Sequence, residues 1–464
     1  LAPLKTYKKD DPHFAVLTDL YARRSDMHDR ARALCCFAYA KMCEDTGEHE
    51  QAFAAYAESN QIKAALSPFD EASEEIQTAA TLRLFDRNFI SARQRPATVS
   101  DGPTPIFIVS MPHAGAGWLE RMLTQHPLAG AAHVAFGSLL ADAALPFPDL
   151  AAVLDGPAWH AIGERYLQLT AQQAPGKIFV IDRNPENVRY LGLIHLALPQ
   201  ARIVHVMRDP LDSCFSLYAS NAEPDIGYSH DLGLLGRQYV CYINLMRHWH
   251  VVLPPRTIAD VHYEDLVREA EQQMRRVVEF TGLPWSDRCL QPPPRVQNQR
   301  THLSARWRNF AQHLEPLYAS VKHYRQADGA DNPLAEARRN TLLSRANRLY
   351  AEDRFAEALA HYDQALAIRP NDASALVNKG IVLRDLRRPD EAVAYLNAAL
   401  ALAPEMAIAR FNLGSLQLMI GDWQAGWENY EARWYDNDQA QKGILKPPPA
   451  LRPQWNGETN TEHQ

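Results

Sequence analysis

The sequence lacks the features that define membrane-spanning, secreted and disulfide-stabilised proteins. No run of eighteen apolar residues occurs along the 464 residues, so no membrane span is expected. The start, LAPLKTYKKDD, has neither the apolar stretch of a signal peptide nor an initiator Met, and we interpret the chain as a fragment. The six cysteines include no CxxC pair, which argues against a zinc site and a disulfide scaffold and predicts reduced thiols in the cytoplasm.

An excess of positive charge is also missing. The 48 Lys and Arg residues are outnumbered by 55 Asp and Glu residues, which gives a formal net charge of −7, whereas nucleic-acid binding depends on clustered Lys and Arg. We therefore expect no nucleic-acid partner, and any polyanion must be held by a few local arginines. The stretch His248-Trp249-His250 lies on a predicted helix, where we interpret it as a packing feature, and no metal ion is expected.

The first part of the chain carries a helical pattern throughout. Four residues occupy the small, turn, small and aromatic positions of a tetratricopeptide-like helical hairpin: Ala40, Gly47, Ala52 and Tyr56. A plain amphipathic helix pair is the alternative interpretation. We assign residues 1–95 to this helical segment and the proline-containing residues 96–104 to a linker, because proline and glycine prevent a continuous helix.

Strand-like and helix-like stretches then alternate, which predicts a mainly parallel sheet with helices on its faces. The candidate strands are residues 106–109 (IFIV), residues 177–181 (KIFVI), residues 202–206 (RIVHV) and, with a weaker pattern, residues 257–263. Helices are expected over residues 186–198 and 211–220. We assign residues 105–328 to this α/β domain.

A repeat with a period of 34 residues follows. It is marked by three sets of equivalent positions: Ala346, Gly380 and Gly414; Ala358, Ala392 and Gly426; Pro370 and Pro404. This is the tetratricopeptide period, with small residues where paired helices touch and a proline at the end of a unit. We assign residues 340–436 to the repeats and residues 437–464 to a truncated tail. Because such repeats usually bind a ligand on their concave face, we expect a protein or peptide partner there.

The most informative stretch is residues 105–127, PIFIVSMPHAGAGWLERMLTQHP. An apolar run leads through a loop with Gly115 and Gly117 into a helix-like segment, and the free N–H groups at such a helix start favour phosphate. A Walker A loop would need Lys and Ser or Thr after the second glycine, where Trp118 and Leu119 stand. A dinucleotide fingerprint would need Gly at Glu120 and is the weakest of the candidates.

Several later stretches complete a pattern. RDPLDSCFS places Arg208 and Ser216 eight residues apart, DRNPEN carries Arg183, HYEDL carries Tyr263 and SARW carries Arg306. In this order and spacing they resemble the sulfotransferases, in particular the bacterial tetratricopeptide-linked family and the related tyrosylprotein sulfotransferases. The resemblance implies a P-loop-like parallel-sheet core flanked by tetratricopeptide hairpins, and 3′-phosphoadenosine 5′-phosphosulfate (PAPS) as co-substrate without a metal.

The resemblance also implies roles for single residues. Arg208 and Ser216 match the pair that grips the 3′-phosphate, Tyr263 the tyrosine that approaches the nucleotide, and Arg306 the basic residue near the phosphates. Arg183 replaces the family's lysine beside the bridging oxygen, and His133 stands where the family often has a glutamate base. The phosphosulfate loop corresponds to seven residues: Pro112, His113, Ala114, Gly115, Ala116, Gly117 and Trp118.

This loop departs from the family's Pro-Arg-Ser-Gly-Thr-Thr or Ser, because its cation and hydroxyls are replaced. At roughly 1.5–3 kcal/mol for each hydrogen bond to a charged group, the loss is about 4 kcal/mol, on the order of a thousandfold in affinity. Two functions therefore remain open: sulfuryl transfer from PAPS to a hydroxyl acceptor, and a weak or inactive sulfotransferase-like protein that acts as an interaction scaffold.

Overall fold

The structure is a computed structural model that describes residues 6–93, 102–141, 143, 145–221, 226–291, 305–324 and 333–435. Most of the predicted linker, residues 96–101, and the predicted tail, residues 437–464, lie outside these ranges. The chain divides into two compact units, residues 1–327 and 328–464.

Among the described residues before the sheet, the first unit has five α-helices. They are α1 (Pro12–Ala22), α2 (Asp29–Asp45), α3 (His49–Leu66), α4 (Glu71–Leu84) and α5 (Arg87–Arg93). Helices α2 and α3 form the predicted hairpin, in which Ala40, Ala52 and Tyr56 are at most 1% exposed. Gly47 adopts a φ of 83° in the turn between them, a conformation that glycine enters without a Cβ penalty.

A five-stranded parallel sheet follows, which confirms the predicted α/β class. Its strands are β1 (Thr104–Val109), β2 (Ala129–Ala131), β3 (Phe179–Asp182), β4 (Arg202–Met207) and β5 (Ile258–His262). Their spatial order is β2-β3-β1-β4-β5, and every neighbouring pair is parallel. The chain leaves β1 toward β2 and β3 and later crosses to β4, so the topological switch point lies between β1 and β4, where open α/β sheets bind ligands.

The sheet is covered on both faces because β1 is apolar at successive positions. Phe107 packs on one side with Tyr166 and Trp249, and Ile106 packs on the other with Leu119. The helices of this part are α6 (Ala116–Thr124), α7 (Asp149–Val153), α8 (Gly156–Gln173), α9 (Leu191–Ala197), α10 (Pro210–Tyr218), α11 (Leu232–Val252), α12 (Tyr263–Arg268), α13 (Ala270–Thr281) and α14 (Glu315–Val321). This two-sided burial explains why the strand shows no polar alternation.

The helix expected over residues 186–198 is divided. A tight 3₁₀ stretch, Pro185–Tyr190, precedes α9. Asn184 caps it, with its side-chain oxygen accepting the Glu186 N–H at 3.0 Å. Short 3₁₀ segments are frequent at helix starts, so the sequence pattern located the helical region but not its change of pitch.

The second unit consists of helix pairs, which confirms the repeat. The helices are α15 (Pro333–Ala351), α16 (Phe355–Ile368), α17 (Ala373–Asp385), α18 (Pro389–Leu402), α19 (Ala407–Ile420) and α20 (Trp423–Tyr430). A Cβ on Gly414 would lie 2.4 Å from the Tyr430 backbone nitrogen, and one on Gly380 would lie 2.9 Å from Leu396 Cγ. The 34-residue spacing therefore marks close contacts between the helices of a pair.

Among the helices of the described ranges, none combines the length and the apolar character needed to cross a bilayer.

Candidate active site

The loop between β1 and α6, residues 110–115, lies at the carboxyl edge of the sheet beside the switch point. Two of its residues adopt a positive φ, 63° at His113 and 107° at Gly115. Within the described part of the chain, the N–H groups of Gly115, Ala116 and Gly117 donate to no carbonyl or side chain. These three amides and the start of α6 form a local concentration of donors, which suits an anion.

Gly115 is required by close packing as well as by its φ. A Cβ at this position would lie 2.3 Å from Tyr263 Cδ2, so the tyrosine ring covers the loop directly. Tyr263 is 8% exposed and begins α12, at the end of β5. The flat ring and the loop therefore form one wall of the site.

Arg208, at the end of β4, reaches this loop. Its Nη1 donates to the His113 carbonyl oxygen at 2.9 Å, and its Cζ lies 5.0 Å from the centroid of the Tyr263 ring. The Arg208 side chain is only 4% exposed. The structure thus brings a buried guanidinium, the loop and the tyrosine together, although they are far apart in the chain.

Two buried hydroxyls lie on α10, the helix that follows Arg208 in the chain. Ser213 is 0% and Ser216 is 5% exposed, and the side-chain oxygen of each has no hydrogen-bond partner among the described residues. A buried hydroxyl without a partner costs free energy, so such groups indicate a place where a ligand or water is bound. Ser216 was expected in this role from the sequence, and Ser213, one helical turn earlier, was not.

A carboxylate stands beside the same arginine. Asp212 Oδ1 lies 3.9 Å from Arg208 Nη2, and Asp212 Oδ2 accepts the Ala305 N–H at 2.7 Å. Burial raises the pKa of Asp212 to about 6, against a smaller opposing effect of Arg208. An ionised Asp212 would repel a phosphate in the site. The raised pKa makes it easier for Asp212 to take up a proton, and the neutral carboxyl would not repel the anion.

His113 replaces the loop's expected cation. The surrounding protein atoms and the charges of Arg208 and Arg306 lower its pKa to about 4. The imidazole remains in contact with solvent, so the shift reflects a crowded, concave position rather than enclosure in a core. His113 is therefore neutral near pH 7 in the unliganded site and adds no positive charge to the loop.

The two predicted catalytic side chains meet at one carboxylate. Arg183 Nε donates to Glu120 Oε2 at 2.5 Å, and His133 Nε2 lies 3.3 Å from Glu120 Oε1. Glu120 is 7% exposed, whereas Arg183 and His133 are about half exposed. A Cβ on Gly117 would lie 3.8 Å from Arg183 Nε, so this cluster adjoins the start of α6. Glu120 was not recognised as a site residue from the sequence.

Arg121 is a further cation that sequence reasoning missed. It lies one turn after Gly117, and a Cβ on that glycine would be 3.9 Å from Arg121 Nη1. Partial loss of water around the guanidinium and the neighbouring positive charge of Arg183 lower the pKa of Arg121 from the ordinary arginine value. The side chain is exposed and forms no ion pair with any residue in the described ranges. Its position four residues after a loop glycine was the available signal.

Arg306 is held by the N-terminal helical hairpin. Its Nε and Nη2 bind the two carboxylate oxygens of Glu44 on α2, the second at 2.5 Å, and its Nη2 lies 3.4 Å from the Tyr56 hydroxyl. Both side chains of the pair are 13% exposed. The hydrogen bonds and charge of Glu44 outweigh burial and raise the pKa of Arg306, which stays charged. Its nearness to His113 places this pair beside the loop.

Comparison with family models matches both parts of the chain. Residues 105–287 match the model of the sulfotransferase family. Residues 337–405 and 377–441 match two models of the tetratricopeptide repeat.

Two curated proteins are similar over parts of the chain. An uncharacterized protein of Aquifex aeolicus is 25% identical over 303 residues, which are 62% of this chain and 39% of that protein. The inactive TPR repeat-containing thioredoxin TTL3 of Arabidopsis thaliana is 34% identical over 103 residues, 22% of this chain and 14% of its own length. The chain thus spans about two fifths and one seventh of these relatives.

Solved sulfotransferase structures are similar at low identity. The sulfotransferase domain of the Synechococcus PCC 7002 olefin synthase is 19% identical, with a TM-score of 0.33, covering 53% of this chain and 96% of that one. Sulfotransferase STF9 from Mycobacterium avium is 15% identical, with a TM-score of 0.32 and coverages of 70% and 98%. Mouse sulfotransferase SULT7A1 complexed with PAP is 15% identical, with a TM-score of 0.26 and coverages of 46% and 65%.

Proposed function

Because the chain carries a sulfotransferase-family domain followed by tetratricopeptide repeats, we propose that it transfers a sulfuryl group from PAPS to a hydroxyl acceptor. The repeats would hold a protein or peptide partner on their concave face. One observation carries the catalytic proposal: the buried Arg208 guanidinium, the free amides of the loop and the Tyr263 ring meet at the switch point of the sheet. We also propose a cytoplasmic location, in keeping with six cysteines that form no disulfide in the structure.

The residues present fit the two anionic groups of the co-substrate. Within the loop from Pro112 to Trp118, the unpaired amides of Gly115, Ala116 and Gly117 suit the 5′-phosphosulfate, while Arg208 and the partnerless Ser216 hydroxyl suit the 3′-phosphate. Tyr263, whose ring packs on the loop and beside Arg208, would approach the nucleotide. Arg306 lies close enough to add positive charge, although Glu44 already binds it.

The transfer step requires a base that removes the acceptor proton and a cation that stabilises the leaving phosphate. As the acceptor oxygen bonds to sulfur, the sulfur–oxygen bond to the phosphate breaks and the acceptor proton must leave. His133 would take this proton at Nδ1, since its Nε2 lies 3.3 Å from the Glu120 carboxylate, whose charge would favour the protonated ring. Arg183 would stabilise the charge that develops on the leaving phosphate, but it cannot readily give up a proton as a lysine can.

The scaffold function remains the alternative, and particular contacts favour it. Arg183 and Arg306 are each neutralised by a carboxylate, Glu120 and Glu44 respectively. The loop also offers no side-chain hydroxyl between Pro112 and Trp118. A protein of this kind would bind its partner through the repeats and PAPS weakly or not at all.

Binding of adenosine 3′,5′-bisphosphate tests the site. Titration calorimetry should show one binding site in the wild type, and Arg208→Gln should abolish it, because the buried guanidinium is the main charged donor. The matched control is Arg202→Gln, an exposed arginine at the opposite end of the same strand, which should bind as the wild type does. Equal affinities for all three proteins, or no binding at millimolar ligand, would contradict the proposed site.

Transfer of labelled sulfate from PAPS then separates the enzyme from the scaffold. In an active enzyme, His133→Gln should lower kcat while leaving the affinity for the bisphosphate unchanged. Arg183→Lys restores a residue that can donate a proton and should raise kcat. Binding of the bisphosphate without transfer to any peptide, saccharide or phenol acceptor would favour the scaffold.

A further inference from the structure

A second cluster of chemically versatile side chains lies on the face of the sheet that α11 covers. His205 on β4 is directly opposite Asp260 on β5 in the strand register. His250, in the last turn of α11, completes the group. His205 Nδ1 lies 2.8 Å and His250 Nε2 lies 3.1 Å from the same oxygen, Asp260 Oδ1. The three candidate ligand atoms all lie within 4.8 Å of one another.

We propose that His205, His250 and Asp260 form a binding site for a divalent transition-metal ion of the zinc class, with water as the fourth ligand. Zinc binds imidazole nitrogen and carboxylate oxygen at about 2.0–2.1 Å, which in a tetrahedron places neighbouring ligand atoms about 3.3 Å apart. The two nitrogen–oxygen distances fall short of that value by only a few tenths of an ångström. Small side-chain movements would therefore open the site around an ion.

The three side chains come from three separate elements, so the fold holds them in place. His205 is 3% exposed and fixed within the sheet, whereas the side chains of His250 and Asp260 are 35% and 42% exposed. One ligand is thus rigid, and the other two leave a route for the ion and room for a bound water. Three protein ligands plus one water is the coordination typical of an open zinc site.

A second observation concerns the other nitrogen of His205. His205 Nε2 is buried and has no hydrogen-bond partner among the described residues. A metal-bound imidazole usually donates its remaining N–H to an outer group. His205 also lines a small cavity of about 10 Å³, together with Ser213 and Tyr242, which is about the space that one water needs. A water there would accept this N–H and fix the ring for metal binding through Nδ1.

The alternative is a hydrogen-bonded tie between strand and helix without an ion, and metal titration of the full chain distinguishes the two. After treatment with a chelator, Co²⁺ is added as a probe and its visible absorption is recorded, with Zn²⁺ then used to displace it. The wild type should bind one equivalent with the intense spectrum of a tetrahedral site. His250→Ala and Asp260→Asn should each weaken this binding by more than about tenfold, since loss of even an outer-sphere contact costs 10–100-fold.

His160→Ala is the matched control, because His160 is exposed and lies 3.9 Å from the Glu164 carboxylate on α8, away from the cluster. It should leave the tetrahedral spectrum and the affinity unchanged. Circular dichroism establishes that each variant is folded. Two outcomes overturn the proposal: no tetrahedral spectrum with Co²⁺ in excess, or a site that survives both His250→Ala and Asp260→Asn. Neither outcome bears on the binding of PAPS, which uses other residues.

Discussion

Asp212 provides a sharp test of the electrostatics of the anion site. Its carboxylate lies beside Arg208, and both side chains are 4% exposed. One oxygen accepts the Ala305 N–H, and the other has no hydrogen-bond partner among the described residues. We expect Asp212→Asn to stabilise the protein near neutral pH, since the amide oxygen can still accept the Ala305 N–H while the buried negative charge is removed.

The size of the expected change in the free energy of unfolding follows from the pKa of Asp212. Burial raises the pKa of Asp212 from 3.8 to about 6. Below 3.8 the carboxyl is neutral in the folded and unfolded chains, so it carries no penalty. Between the two values the folded chain keeps a proton that the unfolded chain has released, and stability falls as the pH rises. Above about 6 the full penalty applies, which for a shift of about two units is about 3 kcal/mol.

Urea unfolding monitored by tryptophan fluorescence, from about pH 4 to pH 7.5, measures this effect. Asp212→Asn should exceed the wild type in free energy of unfolding at pH 7.5, and the difference should shrink toward pH 4. Asp231→Asn is the control: Asp231 is an exposed N-cap of α11, and asparagine caps equally well. If Asp212→Asn is no more stable than the wild type at pH 7.5, the carboxylate is not penalised by burial and this reasoning fails.

Further substitutions test the packing and the ion pairs. Gly115→Ala should abolish binding of adenosine 3′,5′-bisphosphate in calorimetry, because its methyl group would collide with the Tyr263 ring at 2.3 Å and the φ of 107° disfavours alanine. Glu44→Gln should destabilise the first unit by about 3 kcal/mol in urea, since it leaves the charge of Arg306 largely buried and unpaired. Arg306 lowers the pKa of Glu44 against the effect of burial. The greater stability of the wild type over Glu44→Gln should therefore be lost as the pH falls and Glu44 is protonated. Gly414→Ala should destabilise the repeats by about 1–3 kcal/mol, because its Cβ would meet backbone atoms; an unchanged thermal midpoint would contradict that contact.

Much of the fold could be predicted from patterns that are local in the chain. The apolar run of β1, the glycine loop and the 34-residue spacing of Ala346 and Gly380 each reflect a single element or a repeated unit. The helix after Asn184 shows the limit of such patterns, because hydrophobic spacing does not distinguish a 3₁₀ turn from an α-helix.

The partners of the arginines could not be predicted in the same way. Arg183 and Glu120 are 63 residues apart, and Arg306 and Glu44 are 262 residues apart. A motif identifies a cation and its neighbours in sequence, but the carboxylate that neutralises it is chosen by tertiary packing. Glu44 could only be assigned once the N-terminal hairpin had been placed against Arg306.

These pairings reduce the positive charge that the site can offer to a ligand. Arg208, Arg183 and Arg306 stand beside Asp212, Glu120 and Glu44 respectively, so each cation has a carboxylate before any ligand arrives. A polyanion must therefore compete with an internal anion at each arginine, and the competition is least costly where the carboxyl most readily takes up a proton. Asp212 is that group, because its pKa is raised to about 6, whereas the pKa of Glu44 is lowered. It follows that a 3′-phosphate disturbs an internal ion pair at least cost beside Arg208, because Asp212 can take up a proton as the phosphate binds. The other two arginines act on the ligand only to the extent that their carboxylates release them.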